Sequence, residues 1–136
     1  MTFSPDGNLI YTSSSDGSIG VISNGKLEGR IEGAHLAPIN TLIHIDSNSV
    51  IATGDDDGII KIWDLRAAAS SNKGCVMKFE EHDGTIMDLK INEKGNMLLS
   101  SCNDGHLGVF DLRKGDLYAM SDNFEEDLTA LVICKY

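Results

Sequence analysis

The chain has 136 residues, 21 of them acidic and 11 basic, and a formal net charge of -10. This length is enough for one domain with a hydrophobic core, and the charge argues against direct nucleic-acid binding, which needs Lys and Arg to displace phosphate counterions. Three widely spaced cysteines, Cys75, Cys102 and Cys134, form neither a disulfide framework nor a metal-binding pair and fit the reducing cytosol or nucleus.

The first 33 residues predict part of a β-sheet unit. Strands are expected over 8–14 and 17–23, joined by the Asp16-Gly17 turn, and over 26–32. No helical stripe of useful length and no apolar run near 18 residues accompanies them here or later in the chain, so neither a long helix nor a membrane span is predicted.

Residues 34–80 and 81–122 predict two complete four-stranded units, and residues 123–136 predict the first strand of another. The two complete units begin near His35 and His82. The predicted strands are 39–45, 49–53, 59–65 and 75–79 in one unit, and 85–91, 97–101, 106–112 and 117–120 in the next.

One pattern recurs through these units. Asp-Gly turns begin at Asp16, Asp57 and Asp104, a spacing of about 40–47 residues, and each glycine precedes an apolar residue by five positions (Ile22, Trp63 or Phe110). A period of this length with a Trp-Asp dipeptide is typical of a propeller array in which each repeat is one blade.

With its Asp-Gly turns, its Trp63-Asp64 dipeptide and a histidine at the start of two repeats, the whole chain resembles the WD40-repeat family. The resemblance implies an all-β propeller segment of about three four-stranded blades. Because a propeller closes with about 4–8 blades, the segment is expected to be an unclosed fragment or splice form. Its open blade faces are expected to favour self-association.

In WD40 blades a His, a Ser or Thr, an Asp and a Trp form a hydrogen-bonded tetrad, which the resemblance carries onto His35, Thr53, Asp57 and Trp63. These residue types also occur in nucleophilic triads, but a single active site would not recur with the repeat. No catalytic residue, metal or cofactor is therefore predicted, and an enzyme is disfavoured. The third repeat holds His82, Ser100, Asp104 and Phe110, where Phe lacks the N–H group of Trp.

A Trp-Asp-x-Arg motif ends at Arg66, and a copy with Phe for Trp ends at Arg113. This motif resembles that of WD40 proteins that dock on the damaged-DNA-binding adaptor of cullin–RING ubiquitin ligases. The resemblance makes Asp64 and Arg66 candidate partner contacts, and Asp111 and Arg113 weaker ones. In the alternative interpretation, Asp64 and Arg66 form a local ion pair or cap the strand end.

Several segments, including 35–42, 52–56 and 127–129, resemble a nucleolar member of the family associated with ribosomal RNA production and ribosome assembly. The leading prediction is a non-enzymatic interaction scaffold in the nucleus and nucleolus, with the cytoplasm as a further location, whose partners are pre-ribosomal factors. The alternative is a substrate receptor bound to the cullin-ligase adaptor. Neither nucleic acid nor membrane is expected as a direct partner.

Overall fold

Three four-stranded antiparallel sheets make up the computed structural model of the protein, which describes residues 1–4, 6–46, 49–68 and 74–131. Each sheet is a simple meander in which consecutive strands are hydrogen-bonded neighbours. The sheets do not close into a ring, so the predicted all-β, unclosed propeller segment is confirmed.

The sheets are named blades 1 to 3 in chain order. Blade 1 contains β1 (Thr2–Phe3), β2 (Leu9–Ser13), β3 (Ile19–Ser23) and β4 (Lys26–Ile31). Blade 2 contains β5 (Ile39–Asp46), β6 (Val50–Asp55), β7 (Ile60–Asp64) and β8 (Cys75–Phe79), with one helical turn, α1 (Leu65–Ala68), after β7. Blade 3 contains β9 (Ile86–Ile91), β10 (Met97–Cys102), β11 (Leu107–Asp111) and β12 (Asp116–Met120).

Both ends of the chain differ from the sequence-based prediction. Blade 1 gains a fourth strand, β1, whose Thr2 pairs with Tyr11. No strand occurs over residues 123–131, and the rest of the strand predicted near 128–134, with Cys134, lies outside the described residues. The reason for the difference is that the N–H groups of Leu128 and Leu131 donate to Cys102 O and Asp88 Oδ2 of blade 3.

A bulge recurs at one place in every blade. Between the third and fourth strands the register shifts at Val21/Ile22, at Ile62/Trp63 and at Val109/Phe110. The residue after each shift is the apolar residue that follows the Asp-Gly turn. A bulge bends its strand and re-aims a side chain, so the sequence repeat corresponds to a repeated geometry.

The hydrophobic core consists of two layers, one between each pair of adjacent blades. Strand β6 contributes to both because successive side chains point to opposite faces: Ile51 faces blade 1 and Ala52 faces blade 3, and both are fully buried. The layer between blades 1 and 2 contains Tyr11, Ile19, Ile31, Ala34, Ile39, Leu42, Ile51 and Trp63. The layer between blades 2 and 3 contains Ala52, Ile60, Ile62, Phe79, Ile86, Leu89, Leu98, Cys102 and Phe110.

The turn between the second and third strands of one blade lies directly against the backbone of the loop that leads into the next blade. Gly17 has a φ of 78° and Gly58 one of 81°. A Cβ atom on Gly17 would lie 2.3 Å from His35 O, and one on Gly58 would lie 2.4 Å from His82 O. These glycines therefore allow the backbone approach that places both histidines.

We expect Gly58→Ala to destabilise the fold more than Gly25→Ala does. Both positions need a positive φ (81° and 74°), which costs an L-residue about 1–2 kcal/mol. Only Gly58 adds a backbone clash, since no atom lies within 4 Å of the Cβ position at Gly25. Urea unfolding of both variants measures the difference, and equal losses of unfolding free energy would contradict the close approach.

Candidate functional site

Four buried side chains in blade 2 form a continuous series of hydrogen bonds. His35 Nδ1 donates to Asp55 Oδ2 over 2.6 Å, because a carboxylate can only accept. Thr53 Oγ1 lies 2.7 Å from His35 Nε2 and accepts the indole N–H of Trp63 over 2.9 Å. All four residues are at most 3% exposed, so every polar group is paired without solvent.

The charge state of His35 follows from its surroundings. Burial lowers the pKa of His35, although the adjacent Asp55 carboxylate opposes the shift. The neutral ring then donates a hydrogen bond through Nδ1–H, and its Nε2 accepts a hydrogen bond from the Thr53 hydroxyl. The four groups form one continuous series of donors and acceptors.

The acid in this tetrad is Asp55, so the assignment of Asp57 from the repeat register was wrong. Asp55 Oδ1 accepts the N–H groups of Asp57 and Ile59 over 3.0 and 2.8 Å, which leaves Oδ2 directed at His35. Asp57 is exposed in the turn. The signal that finds Asp55 is strand alternation, because residues 53 and 55 lie on the same face of β6.

Blade 3 has a shorter version of the same group. His82 Nδ1 lies 3.0 Å from Asp104 Oδ2, and His82 Nε2 lies 2.6 Å from Ser100 Oγ. The series of hydrogen bonds ends there, because Phe110 replaces the tryptophan and has no N–H group to donate. The fully buried Phe110 ring packs on Phe79 instead, with ring centroids 4.6 Å apart. Burial raises the pKa of Asp104, but the N–H groups of His106 and Asp83 and the His82 ring outweigh it and lower that pKa to about 2.

Blade 1 lacks the histidine and the indole. Thr12 faces Gly20, where an added Cβ would lie 2.7 Å from the Thr12 hydroxyl. At the surface, Asp16 accepts a hydrogen bond from the Ser18 hydroxyl and forms an ion pair with Arg30. The hydroxyl and N–H groups of Ser18 lower the pKa of Asp16 to about 2. The acid in this blade therefore serves the turn and not the core.

The tetrads are structural groups. His35 and His82 each have both ring nitrogens bonded to neighbouring side chains. A general base needs a nitrogen within reach of a substrate proton. His82, Cys102 and Asp104 place three potential metal ligands within 4.8 Å of one another. However, burial raises the pKa of the Cys102 thiol to about 11, and the histidine and the acid already bond each other.

Asp64 and Arg66 contact each other at the end of β7. Asp64 Oδ1 accepts the N–H and the Nε–H of Arg66 over 3.1 and 3.0 Å, and Oδ2 accepts Nη2–H over 2.8 Å. These hydrogen bonds lower the pKa of Asp64. The geometry fits the local ion pair of the alternative interpretation, in which the guanidinium of Arg66 donates to both carboxylate oxygens of Asp64 while its side chain stays 62% exposed.

The second copy of the motif has another geometry. Asp111 Oδ1 accepts the N–H groups of Arg113 and Lys114 over 2.9 and 3.2 Å, so it caps a turn. Arg113 is exposed. The role of these four motif residues in partner binding stays a prediction.

In the part of the chain that the structure describes, no helix is long and apolar enough to cross a membrane.

Comparison with known families agrees with this architecture. The WD40 family, described as WD domain, G-beta repeat, matches residues 1–23, 25–64 and 73–111. The chain belongs to the WD40-repeat family. Proteins of this family are generally non-enzymatic scaffolds that bind other proteins.

Curated relatives match the chain along its whole length. WD repeat-containing protein 55 of Rattus norvegicus is 38% identical over 100% of this chain and 34% of its own length. The Homo sapiens protein of that name is 36% identical with the same coverage, and the homolog from Drosophila erecta is 34% identical over 98% of this chain and 26% of its own length. The chain spans about a third of the length of the mammalian relatives.

Solved structures share the fold. A chain in the crystal structure of the mitotic checkpoint complex superposes with a TM-score of 0.87 at 21% identity, over 98% of this chain and 39% of its own length. The computationally designed Ika8 protein superposes with a TM-score of 0.78 at 25% identity, over 94% of this chain and 38% of its own length.

We expect Asp55→Ala to lower the free energy of unfolding by about 1–3 kcal/mol, because it leaves the buried N–H of His35 without an acceptor. Asp57→Ala is the matched control and should change stability by less than about 0.5 kcal/mol, as exposed substitutions usually do. Chemical denaturation of both variants distinguishes the two assignments. A larger loss for Asp57→Ala would restore the register-based tetrad.

The free energy of unfolding should also decrease as the pH falls through a window set by His35. Its pKa is lower in the folded chain than the ordinary 6.5, so the unfolded state binds a proton first. The contribution is complete above pH 6.5 and is lost as the pH falls from 6.5 towards the folded value. The window of Asp104 lies lower, between 3.8 and about 2. Urea midpoints from pH 8 to 5 should fall for the wild type and less for His35→Gln; parallel curves would contradict the assignment.

Proposed function

We propose that the chain acts as a protein-interaction scaffold in ribosome biogenesis and works in the nucleolus. The observation that carries this proposal is the match of the whole chain to WD repeat-containing protein 55, at 36–38% identity in mammals. The likeness of residues 35–42, 52–56 and 127–129 to a nucleolar member points the same way. Pre-ribosomal factors are the expected partners.

The side-chain chemistry supports a scaffold. The polar groups at the centres of blades 2 and 3 are buried and bonded to each other, so they serve the fold. The net charge of -10 disfavours direct contact with RNA phosphates. Entry into ribosome assembly would therefore occur through protein partners.

Affinity purification of the tagged chain from nuclear extract, with mass spectrometry, tests the proposal. We expect enrichment of pre-ribosomal proteins over a tagged control, and overlap with a nucleolar marker in fluorescence microscopy. Trp63→Ala removes the indole that completes the tetrad and should reduce both signals by unfolding blade 2. A diffuse signal together with no pre-ribosomal enrichment would overturn the ribosome-biogenesis function.

A second candidate is docking on the cullin-ligase adaptor through Arg66. The specific observation in its favour is an exposed guanidinium that donates to both carboxylate oxygens of Asp64. An ordered arginine at an interface centre is often worth about 2 kcal/mol or more. Arg113, which has no ion pair with Asp111 in the described part of the chain, offers the comparison.

We expect Arg66→Ala to reduce adaptor recovery in a pull-down, while Arg113→Ala reduces it less. Both arginines are exposed, so neither change should open a cavity, and equal thermal midpoints would confirm that the blades remain folded. Recovery that is unchanged in both variants would exclude this second candidate and leave the ribosome-biogenesis scaffold.

A further inference from the structure

Leu36 is a large apolar side chain that the fold does not use. It is 99% exposed, although the preceding His35 is buried. The backbone is bonded on both sides of it, because the His35 N–H donates to Gly17 O and the N–H of Asp56 donates to Pro38 O, each over 3.0 Å. Leu36 therefore projects into solvent from an anchored loop, and its surroundings decide what it can contact.

The surface beside Leu36 continues across the turn of blade 2 to the loop that leads into blade 3. Asn40 Nδ2 donates to Asp56 Oδ1, and Thr85 Oγ1 donates to Asp56 O over 3.3 Å. The turns and the loops that follow each blade thus lie side by side, and we call this surface the Asp-Gly end. It consists of residues 14–18, 32–38, 54–59, 80–85, 101–106 and 121–128.

The Asp-Gly end is strongly acidic. It contains 13 of the 21 acidic residues of the chain and none of the 11 Lys and Arg residues. Cations from neighbouring strands reach three of these acids, since Arg30 pairs with Asp16 and Glu32, and Lys78 pairs with Glu80. Two more acids bond the tetrad histidines. The other eight have no ion pair within the described ranges of the chain.

Four of these eight acids lie in the turn and the loop next to the Leu36 loop. Asp56, Asp57, Glu81 and Asp83 are all exposed. Unpaired carboxylates gathered on one surface produce a negative potential that attracts cations, most strongly at low ionic strength. The Asp-Gly end therefore presents an apolar side chain beside uncompensated negative charge.

Charge distinguishes between the possible occupants of this surface. A second copy of the chain would bring the same carboxylates, and nucleic acid or an anionic membrane would bring phosphates, so each would be repelled. A polypeptide rich in Lys and Arg is electrostatically complementary. An apolar residue between its basic groups would also cover the exposed leucine.

We propose that the Asp-Gly end binds a Lys- and Arg-rich segment of a partner protein that also contains apolar residues. The apolar residues pack on Leu36, and the basic groups face the carboxylates of Asp57 and Asp83. The inference rests on the protein-interaction function proposed above, and it adds the place of binding and the chemical class of the partner.

The test uses the 136-residue chain and three fluorescein-labelled peptides. The first is Gly-Lys-Leu-Arg-Lys-Leu-Lys-Gly-amide, the second has Ser in place of each Leu, and the third has Glu in place of each basic residue. Fluorescence anisotropy should show tightest binding for the first peptide, weaker binding as salt is added, and none for the acidic peptide. Amide NMR shifts should fall within the Asp-Gly end.

Two charge variants locate the site. Asp57→Asn combined with Asp83→Asn should weaken binding of the basic peptides roughly threefold or more, as expected for two exposed ion pairs. The matched control, Glu28→Gln combined with Asp116→Asn, removes the same charge from exposed positions outside the Asp-Gly end and should weaken binding much less. Well-dispersed spectra establish that both variants are folded.

The apolar contact has its own pair of variants. Leu36→Ala should weaken binding of the leucine peptide and leave that of the serine peptide unchanged. Leu27→Ala, at a position that is 62% exposed on β4, should change neither. The two peptides thus separate loss of the contact from a general effect on the fold.

Equal weakening by the two charge variants would indicate attraction to the net charge alone and would overturn the inference, as would amide shifts confined to residues outside the Asp-Gly end. Its failure is separable from that of the proposed function. Site-specific peptide binding without pre-ribosomal partners in the purification would leave the docking surface and remove the ribosome-biogenesis function. Pre-ribosomal partners recovered by a chain that binds no basic peptide would do the reverse.

Discussion

The buried hydrogen bond between His35 and Asp55 ties blade 2 together, and the tetrad to which it belongs includes Trp63, which packs in the core layer between blades 1 and 2. The bond joins the loop before β5 to the end of β6, and Thr53 extends it to Trp63 on β7. Side-chain hydrogen bonds thus link two strands, β6 and β7, to the loop before β5. Because these groups are buried, each unmade bond would carry the full cost of desolvation.

The number of tetrad side chains decreases from blade 2 to blade 3 to blade 1. Blade 2 has four tetrad members, blade 3 has three with Phe110 in place of the indole, and blade 1 has a threonine facing a glycine. In repeat proteins stability is roughly a sum of repeat and interface contributions. The central blade, which also has a core layer on each face, is therefore the one that holds the other two.

The sequence predicted much of this arrangement because the repeat and the strand pattern are independent signals that agree. His35, Thr53 and Trp63 followed from the register. The acid did not, because three consecutive aspartates precede Gly58, and register alone does not say which one faces inward. Period-two alternation favours residue 55, and only in blade 3, where that position is Cys102, does the role pass to the turn aspartate.

Other features depend on contacts between distant segments and leave no local pattern. Strand β1 is two residues long, which is too short for alternation to be visible. The segment after β12 has the composition of a strand, but its N–H groups bond to blade 3. A cavity between blades 1 and 2 is lined by residues of β2, β3, β4 and α1, which span more than one repeat of the sequence, from Leu9 to Arg66.

The acidic composition now has a local explanation. An aspartate side chain often accepts the N–H group two residues ahead and so stabilises a turn. Six aspartates in the described chain do so: Asp6, Asp16, Asp55, Asp64, Asp104 and Asp111. These carboxylates are needed by the turns that a propeller repeats, so part of the acidic composition follows from the fold itself.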